Sequence, residues 1–152
     1  MTTTGENARP LPLIGQSVGQ AQAALSRLLT GILAESGTSH QTWLGLQRLN
    51  ALGGAPARDA YERDVRHWLL LDGPAAAGLA SDLIAAGLAE ADGGTIRMTE
   101  AARRLRQDVI AESAQVTGPL LATVDRADLE TTIRTLDEIT RRVRETFGTE
   151  ES

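Results

Sequence analysis

Few residues in this chain are of a type that does covalent or acid–base chemistry. There is no cysteine, and His40 and His67 are the only histidines. Without a thiol, cysteine nucleophiles, thiolate redox sensing, zinc fingers and disulfide frameworks are excluded. The two histidines are not at metal-ligand spacing, so no structural metal is expected, although a regulatory site shared between subunits stays open. Glu100 and Asp108 are candidates for an acid–base pair, but Arg103, Arg104 and Arg106 lie between them, as on a solvated helix face. Gly15, Gly19 and Gly31 fall within a helical pattern and read as small residues for close helix packing, not as a phosphate loop. Neither a G-x-S-x-G elbow nor an H-E-x-x-H zinc motif is present. The expectation is a non-enzyme with no cofactor.

What remains is charge. All 15 basic residues are arginine, set against 20 acidic ones, for a net charge of −5. A net negative charge weighs against nucleic-acid binding, because phosphate contacts supply most of that affinity. A local basic stripe is enough to reverse this. Trp43, Trp68, Tyr61 and Phe147 are the only aromatics, too few for a single-strand stacking platform. The 152 residues suit one compact domain with its own core. No apolar run approaches the roughly 18 residues of a membrane span, so no membrane partner is expected. Met1 to Pro12 lack the basic-then-apolar layout of a signal peptide and read as a flexible arm, residues 1–12. A cytoplasmic location fits the absence of cysteine.

The elements that must position the arginines follow from periodicity. Ile14, Val18, Ala21, Leu25, Leu28 and Ile32 recur at three- and four-residue steps, predicting an amphipathic helix over 13–34 that stops at Gly37. Ser39 is a good N-cap for a second helix, with Trp43, Leu46 and Leu49 buried and Gly53-Gly54 ending it. Residues 55–57 read as a loop. A third helix over 58–71 turns Tyr61, Val65, Trp68 and Leu69 inward. Asp72-Gly73-Pro74 is a turn into a fourth helix, 75–86, ended by Gly87. Residues 88–91 and 95–98 are short strands around Asp92-Gly93-Gly94, a hairpin signal. Thr99 caps a helix over 100–115, Gly118-Pro119 interrupts it, and Asp125 or Asp128 opens a last helix to Phe147.

The predicted fold class is mainly α: about six helices and a short two-stranded wing. Its centre is two short helices joined by a tight turn and followed by that wing. This is a winged helix-turn-helix, a layout that places one helix in a DNA major groove. Four segments then resemble the MarR family of bacterial regulators. Thr38 to Leu46 looks like the family's second helix, and Asp64-Val65-Arg66-His67-Trp68-Leu69 like the helix before the turn. Leu83-Ile84-Ala85-Ala86-Gly87-Leu88 is similar to the end of its recognition helix. Ile96 to Ala102 resembles the last wing strand and the helix that follows. The resemblance spans roughly Ile14 to Phe147 and implies a homodimeric, ligand-responsive transcriptional regulator, read here as a repressor. It also implies one MarR-like domain over 13–152, with dimerisation helices at 13–36 and 119–147. Residues 38–117 form the DNA-binding lobe and linking helix.

By that resemblance, double-stranded DNA is met by Ser39, Arg58, Arg66, Ala75, Ala76, Gly78, Ser81, Asp82 and Arg97. The sequence departs from the family at this face. Members often carry arginine where Gly78 and Asp82 stand. Alanine reaches only a thymine methyl, and Asp82 repels phosphate unless it meets a cytosine amine. The wing tip is Asp92-Gly93-Gly94, with Arg97 its sole arginine. Asp59, Glu62 and Asp64 offset Arg58, Arg63 and Arg66 one for one, so the local field reads as near neutral.

The family resemblance also implies a pocket for a small aromatic or phenolic effector, lined by Gln22, Ser26, His40, Trp43 and Gln47. The alternative is that Trp43 is simply core and the others are surface. In the last helix Leu129, Leu136 and Val143 repeat every seven residues, interleaved with Ile133, Thr140 and Phe147. With Leu25 of the first helix they are the candidate dimer seam, and folding back on the same chain is the alternative. A second function class also stands: a winged-helix dimer that has lost DNA binding and serves as a ligand-binding or protein-interaction module.

Overall fold

The computed structural model describes residues 12–147. Six helices and one hairpin run in the order α1 (Pro12–Ala34), α2 (His40–Ala51), α3 (Arg58–Leu69), α4 (Gly73–Ala85), β1 (Ala89–Asp92), β2 (Thr95–Met98), α5 (Glu100–Leu121) and α6 (Arg126–Phe147). The expected arm lies outside the described residues except for Pro12, which begins α1. No helix among the described residues is long and apolar enough to cross a membrane. The chain divides into two compact units, 1–112 and 113–152.

The first unit holds the core. Ile32 and Leu33 of α1 meet Trp43, Leu46 and Leu49 of α2, Tyr61 and Val65 of α3, and Ala76, Leu79, Ala80 and Leu83 of α4. Leu88, then Ala89, Ile96 and Met98 of the hairpin, and Ala102 and Val109 of α5 complete it. The predicted stripe of α1 is therefore split. Its C-terminal end is core, while Ile14, Val18 and Leu25 stay exposed.

Local chemistry sets the boundaries. The Ser39 hydroxyl accepts from the Thr42 amide at 3.1 Å, and the Asp72 carboxylate accepts from the Ala75 amide at 2.8 Å. Both satisfy donors that a helix start leaves orphaned. Gly87, at φ +73°, ends α4 and feeds the hairpin. Between β1 and β2, Gly93 and Gly94 both have positive φ, +54° and +85°, as a two-residue hairpin loop requires. Thr99 caps α5 by accepting from the Ala102 amide and also donates to the Gly87 carbonyl at 2.7 Å.

Three expectations are corrected. Residues 55–57 are not a plain loop: Ala57 bridges Thr95, and the Ile96 and Met98 amides donate to Pro56 and Gly54 carbonyls. The wing's return strand is thus held on both edges. Trp68 does not face inward; it is 42% exposed at the last turn of α3, where the Arg48 guanidinium of α2 lies over its ring at 4.4 Å. Pro119 does not interrupt α5, which runs to Leu121. The residue before a proline avoids the helical region partly because its Cβ meets the ring, and Gly118 has none. The ladder closes again where the Ala122 amide donates to the Gly118 carbonyl at 2.9 Å.

The second unit comprises the end of α5 and α6. Asp125 opens α6 by accepting from the Asp128 amide. Within α6, Arg141 bridges Glu138 and Glu145, and hydrogen bonds from Arg141 and then Arg142 hold the Glu138 carboxyl down at about 2. The opposite stripe is apolar and unpaired: Ile133, Leu136, Ile139 and Val143 are exposed, and Leu129 is half-buried.

Candidate nucleic-acid interface

The helix-turn-helix is α3, a turn, and α4. Leu70 takes the left-handed turn position at φ 55°, and Asp72 then caps α4. A close approach sets α4 against α2. A Cβ on Gly45 would stand 2.9 Å from Cγ, Cδ1 and Cδ2 of Leu79. The same glycine's carbonyl accepts from the Tyr61 hydroxyl at 2.9 Å. Tyr61 is fully buried, and burial, then the Asp64 charge, pushes its phenol above the ordinary range.

The exposed face of α4 presents Gly78, Ser81, Asp82 and Ala85, with Ala75 and Ala77 half-buried. Ala76 is wholly buried, so it cannot reach a groove as the sequence reading expected. Helical geometry explains this, since Ala76, Leu79, Ala80 and Leu83 form the i, i+3, i+4, i+7 stripe that faces the core. No residue of α4 is basic.

Cations reach this face only from neighbours. Arg58 opens α3. Its amide donates to the carbonyl of Gly94 in the hairpin loop at 2.8 Å. Its guanidinium donates to Glu62 at 3.0 Å and to the Ser81 hydroxyl at 3.3 Å. One residue therefore touches the wing loop, α3 and α4. In the hairpin, Glu90 pairs with Arg97 and Asp92 with Thr95, placing all four on the same, outward face. Arg97 donates diagonally to Asp92. Ser39 is exposed, but its hydroxyl is committed to capping α2. Arg66 and Arg63 are exposed and make no ion pair among the described residues.

The charge balance of α3 changes accordingly. Asp64 does not offset a neighbour on its own helix. It takes a two-pronged bond from Arg48, Nε to Oδ1 at 2.7 Å and Nη2 to Oδ2 at 2.9 Å. That bond raises the Arg48 pKa against the pull of burial. Asp64 and Glu62 are thus both engaged, and Asp59 makes no ion pair among the described residues. The sequence reading missed Arg48, because its partner lies sixteen residues away on another helix.

The proposed pocket residues differ in burial. Trp43 is core, at 5% exposure. Gln47 accepts from the Arg106 guanidinium at 2.7 Å. Ser26 and His40 are half-buried and Gln22 is exposed. An open groove of about 370 Å³ lies on α6, lined by Thr131, Arg134, Thr135, Glu138, Ile139 and Arg142. No group of three or more metal-ligating side chains occurs among the described residues.

No protein-family model and no curated protein sequence matches the chain. Solved structures do. The organohalide-sensing transcriptional regulator RdhR, ligand-free, has a TM-score of 0.74 at 17% identity, covering 97% of this chain and 91% of its own. A MarR protein from Peptoclostridium difficile has a TM-score of 0.75 at 12% identity, covering 99% and 100%. NadR in complex with 4-hydroxyphenylacetate has a TM-score of 0.70 at 19% identity, covering 88% and 98%. The chain has the MarR-type winged-helix fold.

Proposed function

We propose that the protein is a transcriptional regulator that binds duplex DNA as a homodimer and responds to a small aromatic or phenolic ligand, acting as a repressor in the cytoplasm. The observation that carries this reading is the α3–turn–α4 unit with its adjoining wing, which presents an exposed face of α4 with Arg58 bonded to Ser81 on it and to the wing loop at Gly94. In this reading α4 enters the major groove with Ser81 and Asp82 against base edges and Gly78 and Ala75 close to the groove floor. Arg58, Arg66 and Arg97 contact phosphates. Homodimerisation is supported by the apolar side chains that α1 and α6 leave in water, Leu25, Ile133, Leu136 and Val143 among them.

A phenolic effector is supported by the bound 4-hydroxyphenylacetate of NadR. Ser26 and His40 are the polar residues nearest to serving it, with Gln22, Trp43 and Gln47 beside them in sequence. An effector acts here by preferring one spacing of the two reading heads over another. Thermal shifts with simple phenols test this, and no shift with any of them refutes a phenolic effector.

A mobility shift with the gene's own upstream region, at low and moderate salt, tests the DNA reading. No shift of any duplex at low salt refutes it. The second reading, a winged-helix dimer that binds ligand or protein but not DNA, is favoured by one observation: α4 carries no cation.

A further inference from the structure

We infer that the reading head is self-masked: Glu62 and Asp92 occupy Arg58 and Arg97, and duplex DNA must displace both carboxylates to be held. This rests on the DNA-binding reading above. Arg58 is the only guanidinium bonded to the exposed face of α4 among the described residues, through Ser81, and it is held at the same time by Glu62 at 3.0 Å. Arg97 is the only arginine of the wing, and Asp92 holds it across the hairpin. A guanidinium that leaves a carboxylate for a phosphate frees the phosphate's counterion, but the displaced carboxylate, left beside the polyanion, takes up a cation in turn. The carboxylates thus lower both the affinity and its salt dependence. They keep the head off non-specific DNA, so that base-edge contacts decide where it binds.

The arrangement predicts a gain of binding on removing an acid. With a labelled duplex of randomised sequence, Glu62→Gln and Asp92→Asn each bind roughly threefold tighter, the effect of removing one unit charge about 7 Å from a phosphate in water. Each also steepens the slope of log K against log salt by up to about 0.9, because no displaced carboxylate is left to take up a cation in place of the one the phosphate releases. Asp59→Asn removes the same charge next to Arg58 but frees no arginine, since Asp59 makes no ion pair among the described residues. Its affinity gain comes without the change in slope. Adding Arg97→Gln to Asp92→Asn abolishes the slope change. Thermal melts of every variant confirm folding before binding is scored. Wild-type binding with unchanged or weaker binding by Glu62→Gln and Asp92→Asn overturns the masking and leaves the DNA reading standing. Binding by the variants where the wild type binds nothing supports it. Absence of binding by all of them overturns both.

Discussion

Replacing Gly45 by alanine tests how α4 is seated. The new Cβ would lie 2.9 Å from three carbons of Leu79. Carbon atoms rest at about 3.5–4.0 Å, so a gap of about 0.6 Å or more must open. Turning the Leu79 methyls does not provide it, because Cγ itself is one of the three atoms. Leu79 is 3% exposed and belongs to the packed core. Overpacking of this kind costs about 1–3 kcal/mol, while alanine gains about 1 kcal/mol over glycine inside a helix. The net expectation is a loss of about 0–2 kcal/mol, or up to roughly 6 °C in Tm at about 3 °C per kcal/mol. Gly78→Ala in α4 is the internal control. Its Cβ meets nothing within 4 Å, so it takes the propensity gain alone and stabilises by about 1 kcal/mol. Urea titrations of both variants, and of Gly45→Ala on a Leu79→Ala background, measure the terms separately. Once Leu79 has been shortened in this way, the clash is gone and Gly45→Ala becomes stabilising. If Gly45→Ala alone stabilises the protein as much as Gly78→Ala does, the contact is not what seats α4.

Three further outcomes follow from named contacts. Arg48→Met leaves the half-buried Asp64 carboxylate without its two charged hydrogen bonds and destabilises by about 1.5–3 kcal/mol; Trp68 also loses its cation, so its fluorescence responds, and an unchanged urea midpoint refutes the pairing. Tyr61→Phe costs about 0.5–1.5 kcal/mol for the lost bond to Gly45. Because the folded phenol's pKa is raised, its contribution is complete below the unfolded value near 10 and is lost as pH rises above it; the Phe variant flattens that alkaline decline in circular dichroism, and an identical decline in both proteins counts against the raised phenol. Ile133→Glu and Val143→Glu together convert the expected dimer to monomer with unchanged helix content; sedimentation of the double variant as a dimer removes α6 from the interface.

Most of the scaffold was legible in the sequence because its boundaries are set locally. Ser39, Asp72, Gly87 and the two hairpin glycines each act within a few residues of themselves, and each does what its type predicts. Pro119 misled for the converse reason: part of its effect depends on the residue before it, and Gly118 lacks the Cβ that would meet the ring. The site was less legible. Arg48–Asp64, Arg58–Ser81 and Arg106–Gln47 join residues 16, 23 and 59 positions apart. No periodicity carries that information. Trp68 sat at the right helical phase to be core, but phase says nothing about where the core ends along a helix.

The alanines of α4 show how much that distinction matters for function. In the sequence, Ala75 and Ala76 read as part of the DNA-facing side of this helix. In the fold, Ala76 and Ala80 are wholly buried members of the hydrophobic core. Their presence is a packing requirement and says nothing about lost recognition. The face that remains is Gly78, Ser81, Asp82 and Ala85, which has hydrogen-bonding groups at two positions and no cation. On the proposed reading, affinity and specificity are therefore carried by different elements. Arginines of α3 and the wing supply the attraction to phosphate, and Ser81 and Asp82 supply the discrimination between bases. Substituting Ser81 or Asp82 should then change which duplexes are preferred while leaving the salt slope intact, and substituting Arg66 should do the reverse.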